Sequence, residues 1–222
     1  MAATDEAGAT MKQARVVALL GAESTGKTEL VARMAQTLRE QGHEVHVVPE
    51  VLREFCEQLG RTPMAHEQMD IAREQSRRIE LAARQPGIVL ADTTALMIAV
   101  YSDYIFHDRS LYPLAIEAHQ QTDLTLLTAL DLPWQADGFV RDGAHVREPV
   151  DGLIRQALMN AALPFSVVRG QGDARLANAM SIWAHAGVVE AVDAGRVSRK
   201  PWRWLCEKCD DADCEQHWLP RG

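Results

Sequence analysis

LLGAESTGKTEL, residues 19–30, fits the pattern G-x-x-x-x-G-K-[ST] at Gly21, Gly26, Lys27 and Thr28. The run before it, RVVALL from Arg15 to Leu20, is the short continuous apolar stretch of a strand buried on both faces. After it, Leu30, Val31, Met34, Ala35 and Leu38 recur at helical spacing until Gly42, which suits a helix end. Strand, glycine turn and helix in that order are the context the motif requires. Each position then has a chemical reason. Across Gly21, Ala22, Glu23, Ser24, Thr25 and Gly26 the backbone N–H groups turn inward around phosphates. The helix N-terminus adds positive potential, Lys27 meets the terminal phosphates, and the Thr28 hydroxyl faces Mg²⁺. The loop predicts bound ATP or GTP.

Working outward, strands keep alternating with helices. HEVHVVPE (43–50), GIVLADTT (from Gly87), TDLTLLTAL (122–130) and FSVVRG (165–170) read as strands. Helical patterns cover VLREFCEQLG, Met64 to Arg84, the stretch with Tyr101 and Tyr104, Leu153 to Leu163 and Leu176 to Val192. This order predicts an α/β fold: a P-loop NTPase with a doubly wound parallel five-stranded sheet and a lid. The domain limits expected are a disordered leader at 1–13, the P-loop domain at 14–198 and a Cys/His-rich tail at 199–222. Arg73, Arg77, Arg78 and Arg84 lie among acidic neighbours and read as a solvated helix face. Cys56 reads as core packing, and His43 and His46, three apart on a strand, would face opposite sides of the sheet.

A formal charge of −8 and a pI near 5.5 argue against a polyanion partner, so no nucleic acid is expected. No apolar run reaches the length of a membrane span, and MAATDEAGATMKQ has neither the basic start nor the apolar stretch of a signal peptide. A cytoplasmic protein without membrane contact is the expectation.

The destination of the phosphate follows from what is missing and what is present. The base-reading N-K-x-D pattern of a GTPase switch is absent, and an AAA-type motor would want a longer chain. A small-molecule kinase needs a base, an acceptor pocket and an arginine lid. Glu50 ends the second strand, where its carboxylate would emerge at the ligand-binding edge of the sheet; a charge at a helix N-terminus is the alternative. Arg53, one turn on, would hold Glu50 or a phosphate. Asp92 ends the third strand and suits Mg²⁺, with capping of the next helix as the competing role. DLPWQADGFVRDGAHVRE, from Asp131 to Glu148, is too long and polar for an ordinary connection and reads as the lid. Its Arg141 and Arg147 would close over the moving phosphate, with Gly138 and Gly143 as hinges. Asp137, Trp134 and Tyr104 are the candidates for holding a small-molecule nucleoside.

Together GAESTGKT, Pro49-Glu50 with Arg53 and Glu54, the strand ending ADTT, Pro133 to Arg141 and FSVVRGQGDARLANA resemble the ribosylnicotinamide kinase domain of NadR-type proteins, within a P-loop AAA-like ATPase/kinase family. The resemblance covers roughly Arg15 to Met180. It implies ATP-dependent phosphorylation of the 5′-hydroxyl of nicotinamide riboside, giving nicotinamide mononucleotide for NAD synthesis, on a nucleoside-kinase-like fold. It also implies that the loop from Gly170 to Arg175 lies near adenine, and that this chain is a stand-alone kinase. Where the family often has an acidic residue shortly after the strand-end Asp, this chain has Thr94. Glu23 also looks like the family; a carboxylate among phosphates has no evident physical role, and the alternative is that it turns toward the acceptor.

Outside the resemblance, Cys206, Cys209, Cys214 and His217 fall in a C-x₂-C-x₄-C-x₂-H order whose two chelating pairs suit a tetrahedral structural Zn²⁺ knuckle. A reduced tail without metal and a redox pair at Cys206 and Cys209 are the alternatives. Trp202, Trp204 and Trp218 flank the cluster, and any protein partner of this tail is unknown. The alternatives to a nicotinamide riboside kinase are a regulatory P-loop ATPase or nucleotide-dependent binding protein acting through the Trp- and Cys-rich tail, and a kinase of another nucleoside.

Overall fold

The computed structural model describes residues 13–135 and 144–194, with side chains through residue 186. The chain divides into two units, Met1–Ala184 and His185–Gly222; the sheet belongs to the first, and the described residues of the second are helical. The expected leader, the tail with Cys206, Cys209, Cys214 and His217, and lid residues Asp137, Gly138, Arg141 and Gly143 lie outside the described residues. Among the described residues no helix is long and apolar enough to cross a membrane.

Five parallel strands form one sheet: β1 (Ala14–Leu20), β2 (Val45–Val48), β3 (Gly87–Asp92), β4 (Leu124–Thr128) and β5 (Ser166–Val168), in the order β2-β3-β1-β4-β5. The apolar run of β1 is continuous because both its faces are covered. Val17 and Leu19 point to one layer, where they meet Leu30, Val31, Met34 and Leu38 of α1 (Lys27–Glu40), and Ala179 of α7 (Gly172–Ala194). Leu20 joins the opposite layer, built from α3 (Gln68–Ala83), α4 (Ala95–Phe106), α5 (Tyr112–His119) and α6 (Arg147–Asn160), with α2 (Val51–Leu59) at its edge. Each large side chain so buried is worth roughly 1.5–3 kcal/mol against exposure, before chain entropy is set against it. In α4 every residue from Ala95 to Val100 is buried, which explains why that segment shows no polar face.

Within each layer, neighbouring elements are pinned by polar contacts at the rim. Arg15 stacks over the Trp183 ring at 4.3 Å, and Arg33 pairs with Asp173 to join α1 to α7. The arginine run of α3 is only partly a solvated face. Arg78 bridges Glu74 on its own helix and Glu54 on α2, both at close hydrogen-bond distance.

Three elements differ from the sequence expectation. β2 begins at Val45, so His43 lies off the strand, while His46 hydrogen-bonds the Pro86 carbonyl at 3.0 Å. The helix expected from Met64 is a short 3₁₀ turn, Ala65–Glu67, followed by α3 from Gln68. Between α4 and β4 the chain forms α5, started by Pro113 in its first turn, which the apolar pattern did not reveal.

Candidate functional site

At the C-terminal end of β1 the chain turns through Gly21, where a Cβ would sit 1.9 Å from the Thr128 Oγ1 of β4. Only glycine lets the loop pass so close to its neighbouring strand. The Thr128 hydroxyl lies 2.7 Å from that of Thr25, which in turn donates to the Ala22 carbonyl at 2.8 Å. The loop closes at Gly26, φ 72°, which caps α1 from the left-handed region. Lys27 folds over the loop, its Nζ donating to the Gly21 and Ala22 carbonyls at 2.9 and 3.0 Å. A phosphate arriving in the loop meets this ammonium group, the helix N-terminus and the backbone around it.

The register β1 to β3 sets Leu19 beside Asp92, which carries the Asp92 carboxylate to the mouth of the same loop. Its Oδ2 accepts from the Thr28 hydroxyl at 2.6 Å; its Oδ1 is buried with no hydrogen-bond partner among the described residues. A hydroxyl and a carboxylate with an unused buried oxygen are the hard-oxygen set that fits Mg²⁺. Thr93 follows at φ 78°, an unusual conformation for a β-branched residue that ends the strand abruptly. Capping of the next helix falls to Thr94, whose hydroxyl accepts from the Leu96 N–H and contacts His119 Nδ1 at 3.0 Å. His119 Nε2 meets the Thr125 hydroxyl at 2.9 Å, and burial pushes this imidazole's pKa down to about 4. Thr94 thus faces the interior behind the sheet edge, where it lines a small cavity of about 240 Å³.

Beside the loop opens a cleft of about 630 Å³ with Lys27, Glu23, Glu50 and Arg53 on its wall. Glu50 caps α2 and lies 3.6 Å from Arg53, so the expected pair forms at the cleft edge. Tyr104 of α4 and Tyr101 one turn before it line the apolar side with Met97. Cys56 also borders the cleft, half-buried, and burial raises its thiol pKa. Arg61 clasps Glu67 through two 2.7 Å hydrogen bonds that hold the Glu67 carboxyl down at about 2 and fix the turn at the far rim.

Sequence reasoning missed the support beneath Glu50. The buried Gln75 accepts from the Val51 N–H at 2.8 Å and donates to the Pro49 carbonyl at 3.3 Å, so it grips the turn on both sides of Glu50. The signal was present in the stripe Gln68, Ile71, Ala72, Gln75, all buried on one face of α3.

On the other side of the loop, Arg175 is buried and committed to protein groups. It donates to the Thr25 carbonyl at 2.8 Å, the Gly170 carbonyl at 2.8 Å and Asp131 Oδ1 at 2.6 Å. Asp131 Oδ2 accepts the Gly170 N–H at 2.7 Å, and these contacts hold the Asp131 pKa below the usual carboxylate range. The same connection reaches the phosphate loop again, with the Ser24 hydroxyl donating to the Gln135 carbonyl at 2.6 Å. Trp134 is half-buried, its Nε1 without a partner among the described residues. Arg147 begins α6 directly after Val146, a cleft-lining residue; it is buried, with Nε and Nη2 unpartnered among the described residues. No group of three or more His, Cys, Asp or Glu is set to hold a metal ion among the described residues.

Comparison with known proteins matches the AAA_28 family model, an AAA domain, to residues 16–175. The fold is similar to NadR in complex with NR at TM-score 0.66 and 21% identity, over 78% of this chain and 52% of that one. NadR in complex with NAD and AMP-PNP aligns at TM-score 0.63 and 20% identity, over 78% and 50%. Thymidylate kinase from Ehrlichia chaffeensis aligns at TM-score 0.55 and 14% identity, over 78% and 99%. The chain spans about half the length of the NadR structures, and the likeness is one of fold. No curated protein matches the sequence.

Proposed function

We propose, for a chain that belongs to the AAA domain family, that it is an ATP-dependent nucleoside kinase acting on the 5′-hydroxyl of nicotinamide riboside. One observation carries this reading: Lys27 and Glu50 open onto a single cleft of nucleoside size, so a phosphate donor and an acceptor hydroxyl can meet there. ATP with Mg²⁺ supplies the phosphoryl group and offsets its charge. Thr28 and Asp92 hold the ion, Lys27 and the loop amides align the donor phosphates, and Glu50 takes the proton from the attacking hydroxyl. Arg53, 3.6 Å away, orients the Glu50 carboxylate. Arg147, buried next to the cleft-lining Val146, and Arg141 are the candidate cations for the moving phosphate. Tyr104 lines the cleft as a candidate for holding the acceptor, with Trp134 and Asp137 as further candidates, and the Gly170 to Arg175 loop is the candidate neighbour of adenine.

Purified protein incubated with ATP, Mg²⁺ and a panel of nucleosides should form nicotinamide mononucleotide, identified by mass. Lys27→Ala should abolish the product, and Glu50→Gln should lower kcat by roughly 10²- to 10⁴-fold. Failure of every nucleoside to raise ATP consumption above background sinks the proposal.

A further inference from the structure

Gln68 opens α3 at the floor of the acceptor cleft, 2% exposed, and its Oε1 is buried with no hydrogen-bond partner among the described residues. About two turns along the same face, Gln75 is equally buried but its amide oxygen is satisfied by the Val51 N–H. Two glutamines on one stripe thus have different work: the second holds the Glu50 turn, and the first, in the wall of the cleft, leaves its amide oxygen unused. Buried polar groups in folded proteins are nearly always paired, and the exceptions ask for a reason. Turning the amide over would put its NH₂ in the same place, so either orientation needs a complementary group.

Resting on the kinase reading, we infer that Gln68 determines acceptor specificity by pairing its buried amide with an amide edge on the acceptor's ring. A carboxamide side chain sets a C=O beside an N–H, and the group that satisfies both is another amide, as in a primary carboxamide on a flat ring. The cleft around it fits such a ring: Tyr101, Tyr104 and Met97 supply apolar walls, and Glu50 and Lys27 line the same cleft. A carboxylate in place of the carboxamide has no N–H to give Oε1 and is discriminated against, since it leaves a buried polar atom unpaired.

The test compares the full chain with Gln68→Leu, and with Gln68→Met as a second volume-conserving variant should the first fail to fold. Both are assayed on nicotinamide riboside and on the same riboside carrying a carboxylate instead of the carboxamide. Acceptor binding is read by calorimetry alongside phosphorylation. Expected is a KM for the carboxamide riboside raised about 10- to 100-fold, with kcat and the KM for ATP changed little, and with reduced preference over the carboxylate. The unliganded variant should melt at the same temperature or higher, because an unpaired buried amide has been replaced by an apolar group. A lower melting temperature with an unchanged acceptor KM would mark Gln68 as structural and overturn the inference. So would wild-type protein that phosphorylates nucleosides with no preference for the carboxamide, an outcome that leaves the kinase reading standing. If no nucleoside is phosphorylated, the kinase reading fails by itself. Calorimetry then decides the inference separately: Gln68-dependent binding of the carboxamide riboside upholds it, and absent or Gln68-independent binding overturns it.

Discussion

A single methyl group at Gly21 would collide with the Thr128 hydroxyl at 1.9 Å, with the Thr25 hydroxyl also within 2.9 Å. Gly21→Ala is therefore expected to displace the loop from its neighbouring strand and abolish nucleotide binding, measured by calorimetry with ATP. His119 makes a different prediction. Its folded pKa, about 4, lies below the ordinary 6.5, so the unfolded chain takes up a proton first as pH falls. The stability this imidazole contributes is complete above about pH 6.5 and is lost progressively toward pH 4. Denaturant midpoints across that window should fall, and His119→Asn should flatten the slope. At this scale the sequence was readable where the signal is local: Gly21, Lys27 and Thr28 stand out by motif spacing and Asp92 by its strand end, and the structure brings Thr28 and Asp92 within a hydrogen bond. Gln68, Gln75 and Arg175 were not recognised for what they do, because a glutamine or arginine gains such a role from partners far along the chain. The resemblance places the Gly170 to Arg175 loop near adenine; what the sequence did not show is that the Arg175 guanidinium hydrogen-bonds the Thr25 carbonyl of the phosphate loop.

Among the elements, α3 is the one that organises the acceptor side, since its buried stripe meets both the Glu50 turn and the cleft floor. Gln75→Leu leaves the Val51 N–H and the Pro49 carbonyl without their partner, a loss of about 1–3 kcal/mol by denaturant unfolding. Because the turn holding Glu50 loosens with it, kcat should fall more than the KM for ATP rises. Strand β1, helix α1 and the apolar β3 were legible from periodicity, for burial on both faces leaves a plain signal. Helix α5 escaped because its eight residues, Tyr112–His119, are too few and too evenly apolar to show a stripe. The break between the turn at Ala65–Glu67 and α3 escaped too, although the Glu67 side chain that accepts from the Met64 N–H and clasps Arg61 is a local signal.

Across the whole molecule, alternation of strands and helices gave the fold class, but strand order is a tertiary fact. The order β2-β3-β1-β4-β5 sets the P-loop strand between the Asp92 and Thr128 strands, so the ends of three strands meet at the loop. Saturating ATP with Mg²⁺ should consequently stabilise the entire sheet. At a ligand concentration about 100 times Kd the gain is about 2.7 kcal/mol, a rise of several degrees in melting temperature that Lys27→Ala should erase. The Arg175 contact to Thr25 spans 150 residues, and it carries a consequence for synthesis. A ribosome delivers the phosphate loop early, yet the cation that braces it emerges only after every strand of the sheet has been translated. Release products cut just short of Arg175 should therefore hold nucleotide more weakly than the full chain, even though they contain every strand of the sheet.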